Sequence, residues 1–218
     1  MKEIAYSILS SDFSKLEDDL NIMLNSGVKY LHYDVMDGHF VNNISFGPHV
    51  LSTINKEHKL INDVHLMITN PRDYVEKFVL ANADIITFHY EALKNDDDID
   101  EIINLIHTYN CKCGLSIKPK TSVEKIFKFL NKLDLVLIMS VEPGFGGQSF
   151  IEETYKKIEV LDGFKKKYGL NFIIEVDGGV NNTNGKKILK SGANLLVCGS
   201  YLAKADHKKE AILSILGD

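Results

Sequence analysis

Two aspartates and two histidines are the residues of this chain best suited to chemistry. His32 and Asp34 stand two apart in the apolar stretch 30–34, so a strand there would point both to one side. His65 and Met67 share a side in the same way. Asp177 ends another apolar run and is followed at once by Gly178-Gly179. Two imidazoles and two carboxylates facing one cavity form an N2O2 donor set suited to zinc or another divalent transition metal. A histidine beside an apolar strand is more often a hydrogen-bonded core or loop residue, and His39 and His89 taken singly are read so. For His32, Asp34, His65 and Asp177 together that reading weakens, because four ionisable groups at buried strand ends are costly without a partner. From pattern alone the structural and metal-binding readings both stay open.

Three glycine features are suited to phosphate. Pro143-Gly144-Phe145-Gly146-Gly147-Gln148, Gly178-Gly179 and Gly199-Ser200 each follow a strand-like run. Glycine lets backbone N–H groups approach an anion with no Cβ in the way. Tight turns alone account for any one of the three, less well for three at one rim. Met36, Met67 and Met139 lie at or just past strand ends, either as core filler or as a dry wall around a reactive intermediate. Lys118 and Glu91 read as solvated rim residues, and 95–98 as the acidic start of an exposed helix.

The elements that must position these residues follow from periodicity. Strand-like runs fall at 4–9, 30–34, 60–67, 84–89, 113–117, 135–140, 172–176 and 194–198. Helix-period stretches lie between them at 14–25, 72–82, 99–109, 123–130, 152–168 and 184–190. Pro48, Pro71 and Ser122 sit where helices should begin. Ser26-Gly27-Val28 and Ser191-Gly192-Ala193 share one junction pattern, with Ala81-Asn82-Ala83 a variant, each ending a helix and feeding a buried strand. Repeated βα units predict a parallel sheet, and eight of them predict a closed α/β barrel, although a doubly wound open sheet has similar periodicity. In such a barrel the site lies at the C-terminal ends of the strands, with phosphate at the loops after strands 7 and 8.

The chain has 218 residues, 44% hydrophobic and 25% charged, with no linker-like break, so one domain spanning 1–218 is expected. The net charge of −5 leaves no basic footprint and argues against a nucleic-acid partner. Cys111, Cys113 and Cys198 are too few for a disulfide framework and lack a second pair at zinc-site spacing, so they read as free thiols. With no signal-like leader and no apolar run of membrane-spanning length, a soluble cytoplasmic protein is expected. Barrels of this size often pair through helical faces, so a homo-oligomer stays open.

At the level of whole motifs the chain resembles the ribulose-phosphate 3-epimerase family. The resemblance rests on His32-Tyr33-Asp34-Val35-Met36-Asp37-Gly38-His39-Phe40, Asp63-Val64-His65-Leu66-Met67, Met139-Ser140-Val141-Glu142-Pro143-Gly144-Phe145-Gly146-Gly147-Gln148 and Glu175-Val176-Asp177-Gly178-Gly179-Val180. It runs from Ser7-Ile8-Leu9-Ser10 to Gly199-Ser200. The resemblance implies a single (β/α)8 TIM barrel and the interconversion of D-ribulose 5-phosphate and D-xylulose 5-phosphate in the pentose phosphate pathway. It implies one divalent cation on His32, Asp34, His65 and Asp177, zinc first, with iron, manganese or cobalt also accommodated. Asp34 and Asp177 would be the acid/base pair, inverting C3 through a cis-enediolate. Ser7 and His65 would contact the phosphorylated ketopentose. Gly144, Phe145, Gly146, Gly147, Gly178, Gly179, Gly199 and Ser200 would hold its phosphate end beside Asp177. Asn42 stands where the family usually has proline, and Tyr201 where it usually has a small residue.

Three rivals are weighed against this. Epimerisation of a six-carbon ketose phosphate such as allulose 6-phosphate would use the same metal and acids. A barrel decarboxylase of the orotidine-monophosphate type needs Asp-x-Lys at a strand end, and Met36 occupies the lysine position. A non-catalytic phosphosugar-binding barrel is disfavoured by the intact set of four ligand-type residues.

Overall fold

A computed structural model describes residues 2–54 and 60–217. The expected domain span 1–218 therefore includes Met1, 55–59 and Asp218, which lie outside the described residues. Eight strands pair in chain order and close: β1 (Glu3–Ser7), β2 (Tyr30–Met36), β3 (Ile61–Met67), β4 (Ile85–His89), β5 (Lys112–Ile117), β6 (Leu135–Met139), β7 (Ile173–Asp177) and β8 (Leu195–Cys198). Every pairing is parallel, and β8 returns to β1. This is the (β/α)8 barrel, and the open-sheet alternative is excluded by the β1–β8 ladder.

Outside the barrel run α1 (Leu16–Asn25), α2 (Pro48–Ile54), α3 (Val75–Leu80), α4 (Asp96–Thr108), α5 (Thr154–Tyr168), α6 (Gly185–Ser191), α7 (Ser200–Lys204) and α8 (Lys208–Leu216). The expected helix at 123–130 is instead a 3-10 stretch, Val123–Lys132. Its buried Val123, Ile126 and Phe129 repeat every three residues, which lines up one face at three residues per turn. Strand β1 stops at Ser7, short of the expected Leu9, because Ile8–Ser10 form a 3-10 turn. Pro48 opens α2 as expected, and Pro71 opens a 3-10 turn that leads into α3. Ser122 makes no capping bond to the backbone; its hydroxyl is taken by Glu124. The repeated junctions hold: Gly27, Asn82 and Gly192 all take positive φ. Asn95 caps α4 by accepting from the Asp98 amide at 2.9 Å, above an acidic first turn. The three cysteines are free and buried.

Side-chain alternation gives the barrel two cores. One face of each strand packs against the helices. The other fills the interior, where Ala5, Tyr30, Ile85, Leu135, Leu137 and Leu195 form an apolar plug at the N-terminal end. Above the plug the interior turns polar. His32 pairs in register with Asp63, and one pleat higher Asp34 pairs with His65. On the far side Met139 pairs with Asp177. The plug keeps solvent from entering below, so these charges meet one another rather than water.

Candidate active site

His32, Asp34, His65 and Asp177 converge at the C-terminal end of the barrel, with one donor atom from each lying within 4.8 Å of the others. The four ligand-type residues expected from spacing are thus brought together from β2, β3 and β7. Asp34 is the hub. Its Oδ2 accepts from Ser7 Oγ at 3.0 Å, and its Oδ1 lies 3.0 Å from His65 Nδ1 and 3.3 Å from His32 Nε2. Both histidines are wholly buried.

Beneath them is a second group that spacing did not single out. His32 Nδ1 lies 2.6 Å from Asp63 Oδ2 and 3.6 Å from Glu175 Oε1. Neither Glu175 oxygen has a hydrogen-bond partner among the described residues. Burial, reinforced by the charge of Asp63, lifts the Glu175 carboxyl well above the usual range. The motif containing Glu175 was visible in the sequence, but its inward face was not assigned a role.

The donor geometry tests whether a cation fits. Asp63 accepts, so Nδ1 of His32 carries its proton, and in a neutral ring Nε2 is a bare lone pair. That atom is buried, makes no hydrogen bond among the described residues, and faces Asp34 Oδ1. A lone pair against a carboxylate is repulsive, so Nε2 needs either a second proton, which the charges of Asp34 and Asp63 favour in the bare site, or a bound cation. Two nitrogens and two carboxylates at this spacing suit a divalent transition metal, and Asp63 supplies the outer hydrogen bond that orients a ligating imidazole. The residues present fit such an ion.

The carboxylates differ sharply. Burial disfavours the charge of Asp34, but His32 and His65 overcome it and hold this carboxyl far below the usual range. Burial and the neighbouring charge of Asp34 instead raise Asp177 to about 6. For His32, burial opposes protonation, yet the charges of Asp34 and Asp63 raise its pKa well above the ordinary value. Two carboxyls pushed apart in this way can differ in protonation near neutrality, as an acid and a base must.

Asp34 and Asp177 form part of the floor of a cavity whose wall includes Ser7, Met36, Met67 and Met139. Gly144, Phe145, Gly146, Gly147, Gly178, Gly179, Gly199 and Ser200 also line it. His32 and His65 are not on this wall; they sit beneath it, against Asp34. Met36 and Met67 pack with Val41 at the rim, whereas Met139 belongs to the barrel interior, so the three methionines serve as packing and wall at once.

The rim is built from backbone. At Gly179 φ is +65°, and a Cβ would lie 2.6 Å from the Phe150 nitrogen and 2.8 Å from the Gln148 oxygen. Gly178, at φ +121°, would press a Cβ to 2.5 Å from Val141. These two turns therefore require glycine, and they keep the cavity edge free of side chains. Ser140 Oγ donates toward the carbonyls of Asp177 and Gly178 at 2.8 and 2.6 Å, fixing the end of β7. Across the mouth Asn43 Nδ2 donates to the Gly144 carbonyl at 2.7 Å, tying the loop after β2 to the loop after β6. Asn42 is exposed, and Tyr201 packs against the outer core rather than into the cavity.

The reading of His89 holds, whereas those of Glu91 and Lys118 as solvated rim residues are corrected. His89 is a buried, hydrogen-bonded histidine as read, but its partner is His65, at 2.9 Å between the Nε2 atoms. Glu91 is not a freely solvated rim residue. Its side chain is 21% exposed and accepts from His89, the Lys118 amide and the Thr121 hydroxyl. Lys118 likewise sits with its ammonium 3.9 Å above the Phe40 ring.

Comparison with known proteins agrees with this geometry. Residues 3–203 match the Ribulose-phosphate 3 epimerase family. A ribulose-phosphate 3-epimerase of Bacillus subtilis (strain 168) is 40% identical over 218 residues, covering 100% of this chain and 99% of its own. A second, from Chlamydia muridarum (strain MoPn / Nigg), is 40% identical over 219 residues, covering 99% of this chain and 95% of its own. Among solved structures, KGPDC from Streptococcus mutans superposes with a TM-score of 0.71 at 10% identity, covering 99% of this chain and 95% of its own, a likeness of fold alone. Such agreement along the whole barrel makes this chain a member of the ribulose-phosphate 3-epimerase family, carbohydrate isomerases that act on a phosphorylated sugar.

Proposed function

We propose that residues 1–218 form one catalytic domain that interconverts D-ribulose 5-phosphate and D-xylulose 5-phosphate, with Asp34 and Asp177 carrying protons on opposite faces of C3. The observation that carries this reading is the convergence of two carboxyls of unequal basicity on the floor of a single glycine-rimmed cavity. His32, Asp34, His65 and Asp177 would hold one divalent cation, zinc in our reading. When bound, that cation supplies Lewis-acid stabilisation of negative charge on nearby substrate oxygens.

The chain's own residues do the rest. One aspartate takes the C3 proton as its C–H pair moves into the enediolate, and the other aspartate delivers a proton to the opposite face. The return reaction exchanges their roles. Each positioned transfer contributes roughly 10² to 10⁴ in rate. Ser7 orients Asp34 through Oδ2, leaving Oδ1 to face the histidines. Met36, Met67 and Met139 keep the reacting carbon dry, which strengthens the electrostatics and protects the enediolate from stray protonation. Backbone at Gly144 to Gly147, Gly178, Gly179, Gly199 and Ser200 would take the phosphate, in keeping with the use of the seventh and eighth loops in barrels of this kind.

A coupled assay with D-ribulose 5-phosphate, run on chelated and zinc-replete protein, tests the proposal. Turnover is expected in the replete protein and its loss in the chelated one. Metal-replete protein without epimerase activity would sink the reading, and activity indifferent to chelation would sink its cation.

A further inference from the structure

The glycines of the cavity rim are of two kinds. Gly144, Gly147, Gly178 and Gly179 take positive φ, which alone accounts for glycine. Gly146 and Gly199 do not, and φ at Gly199 is −106°. What keeps these two positions small is Ser10. A Cβ on Gly199 would lie 2.8 Å from Ser10 Oγ, and one on Gly146 would lie 3.3 Å from the same atom. The loops after β6 and β8 therefore close on one hydroxyl. It stands on the cavity wall and makes no hydrogen bond among the described residues.

We propose that Ser10 donates this hydroxyl to the substrate's phosphate, and that the turn carrying it sets how many carbons separate the phosphate from the reacting centre. The proposal rests on the epimerase reading above and deepens it. The surroundings of the hydroxyl favour an anion. The amides of Gly146, Gly147 and Gly179 find no acceptor among the described residues, so the rim offers N–H and O–H donors together. The carboxylates that line the cavity, Asp34 and Asp177, lie on its floor and not beside these donors. An ionised phosphate oxygen accepts, so a hydroxyl meets it as a donor in a charge-assisted bond.

Ser10 is also one end of a short spacer. Ser7 caps the 3-10 turn Ile8–Ser10, which is closed by the Ser11 amide on the Ile8 carbonyl at 3.0 Å. Three residues make one turn of such a helix, so Ser7 and Ser10 face the same side. Both serine β-carbons would lie 3.4 Å from a Cβ on Gly199, and both residues line the cavity. At the other end Ser7 Oγ donates to Asp34 Oδ2 at 3.0 Å. One turn thus joins a proton-carrying carboxyl to the phosphate end. In a ketopentose 5-phosphate, C4 and C5 span the distance from C3 to the phosphate ester. A ketohexose 6-phosphate adds one carbon and carries its phosphate past the Ser10 hydroxyl.

Phosphorus-31 NMR titration with inorganic phosphate, beside turnover of D-ribulose 5-phosphate and D-allulose 6-phosphate, tests the proposal. Ser10→Ala should weaken phosphate binding by roughly 10- to 100-fold, the scale of one hydrogen bond to a charged group. Its loss with D-ribulose 5-phosphate should fall mainly on KM, and the wild type's preference for the pentose over the hexulose should narrow. Ser10→Cys fills the same gap with a weak donor and should lose phosphate affinity as the alanine variant does. Ser10→Thr keeps the hydroxyl and should stay within a few-fold of wild type. Unchanged phosphate affinity in Ser10→Ala would overturn the proposal, and wild-type affinity in Ser10→Cys would reduce the hydroxyl to packing. An unchanged pentose-to-hexulose ratio in Ser10→Ala would overturn the spacer. If the wild type turns over neither sugar, the epimerase reading fails and the spacer with it, and the phosphate titration alone then decides the Ser10 hydroxyl.

Discussion

Asp34 and His65 are register partners on neighbouring strands, and His65 Nδ1 lies 3.0 Å from Asp34 Oδ1. The pairing fixes Asp34 at one side of the cavity floor, because neither strand can slip without turning its buried charges into the helix layer. Asp177 is held equally firmly on β7, opposite Met139. The two carboxyls are therefore placed by the barrel, not by loops.

Replacing either carboxyl by an isosteric amide should separate exchange from inversion. Asp34→Asn and Asp177→Asn are each expected to lower epimerisation by roughly 10² to 10⁴ while circular dichroism stays that of the folded barrel. In deuterated water, each variant should still wash out the C3 proton of the epimer that faces its remaining aspartate. Near-normal turnover in either variant would defeat the two-base scheme.

Asn43 bridges the mouth through the Gly144 carbonyl, at 2.7 Å. Asn43→Ala removes one side chain–backbone hydrogen bond, a loss of about 1 kcal/mol, equivalent to roughly five-fold. The effect should fall on KM for the sugar phosphate, with kcat changed by less, since no reacting group moves. An unchanged KM would show that the bridge does not order the rim.

Asp37 should make acid stability depend on the loop after β2. Burial opposes its charge, but hydrogen bonds from the backbone of Thr69, Phe40 and His39 and from the Thr69 hydroxyl lower its pKa to about 2. A depressed carboxyl stabilises the fold above its unfolded pKa, near 4, and loses that contribution as pH falls through the folded value. Relative to Asp37→Asn, the wild type should be more stable at neutral pH by about 1 kcal/mol, because solvent screens this rim carboxyl. Denaturant melts between pH 5 and 2 should show the gap closing over the lower half of that range. A gap independent of pH would assign the effect to packing instead.

Much of the placement of the candidate site's residues is legible in the sequence. The spacing of His32 and Asp34 puts both on one face of a strand whatever the sheet around it, because alternation is a property of the backbone. Gly27, Asn82 and Gly192 marked helix ends through their tolerance of positive φ, and all three adopt it. The stretch 123–130 went astray because a spacing of three is compatible with both helix types, and packing against the barrel selected the tighter one. Helices α7 and α8 were missed, the first being only five residues long, too short for a periodicity to emerge.

Local order alone determined that a strand carries His32 with Asp34, that Gly178-Gly179 can turn the chain, and that Asp177 closes an apolar run. These depend on near neighbours and on backbone sterics. Only the closed barrel decided that His89 reaches His65, that Asp63 and Glu175 lie under His32, and that Glu91 meets the Lys118 amide. Each of those contacts joins separate strands or the loops that follow them. Strand register and barrel closure set them, and neither is written in the spacing of any single segment.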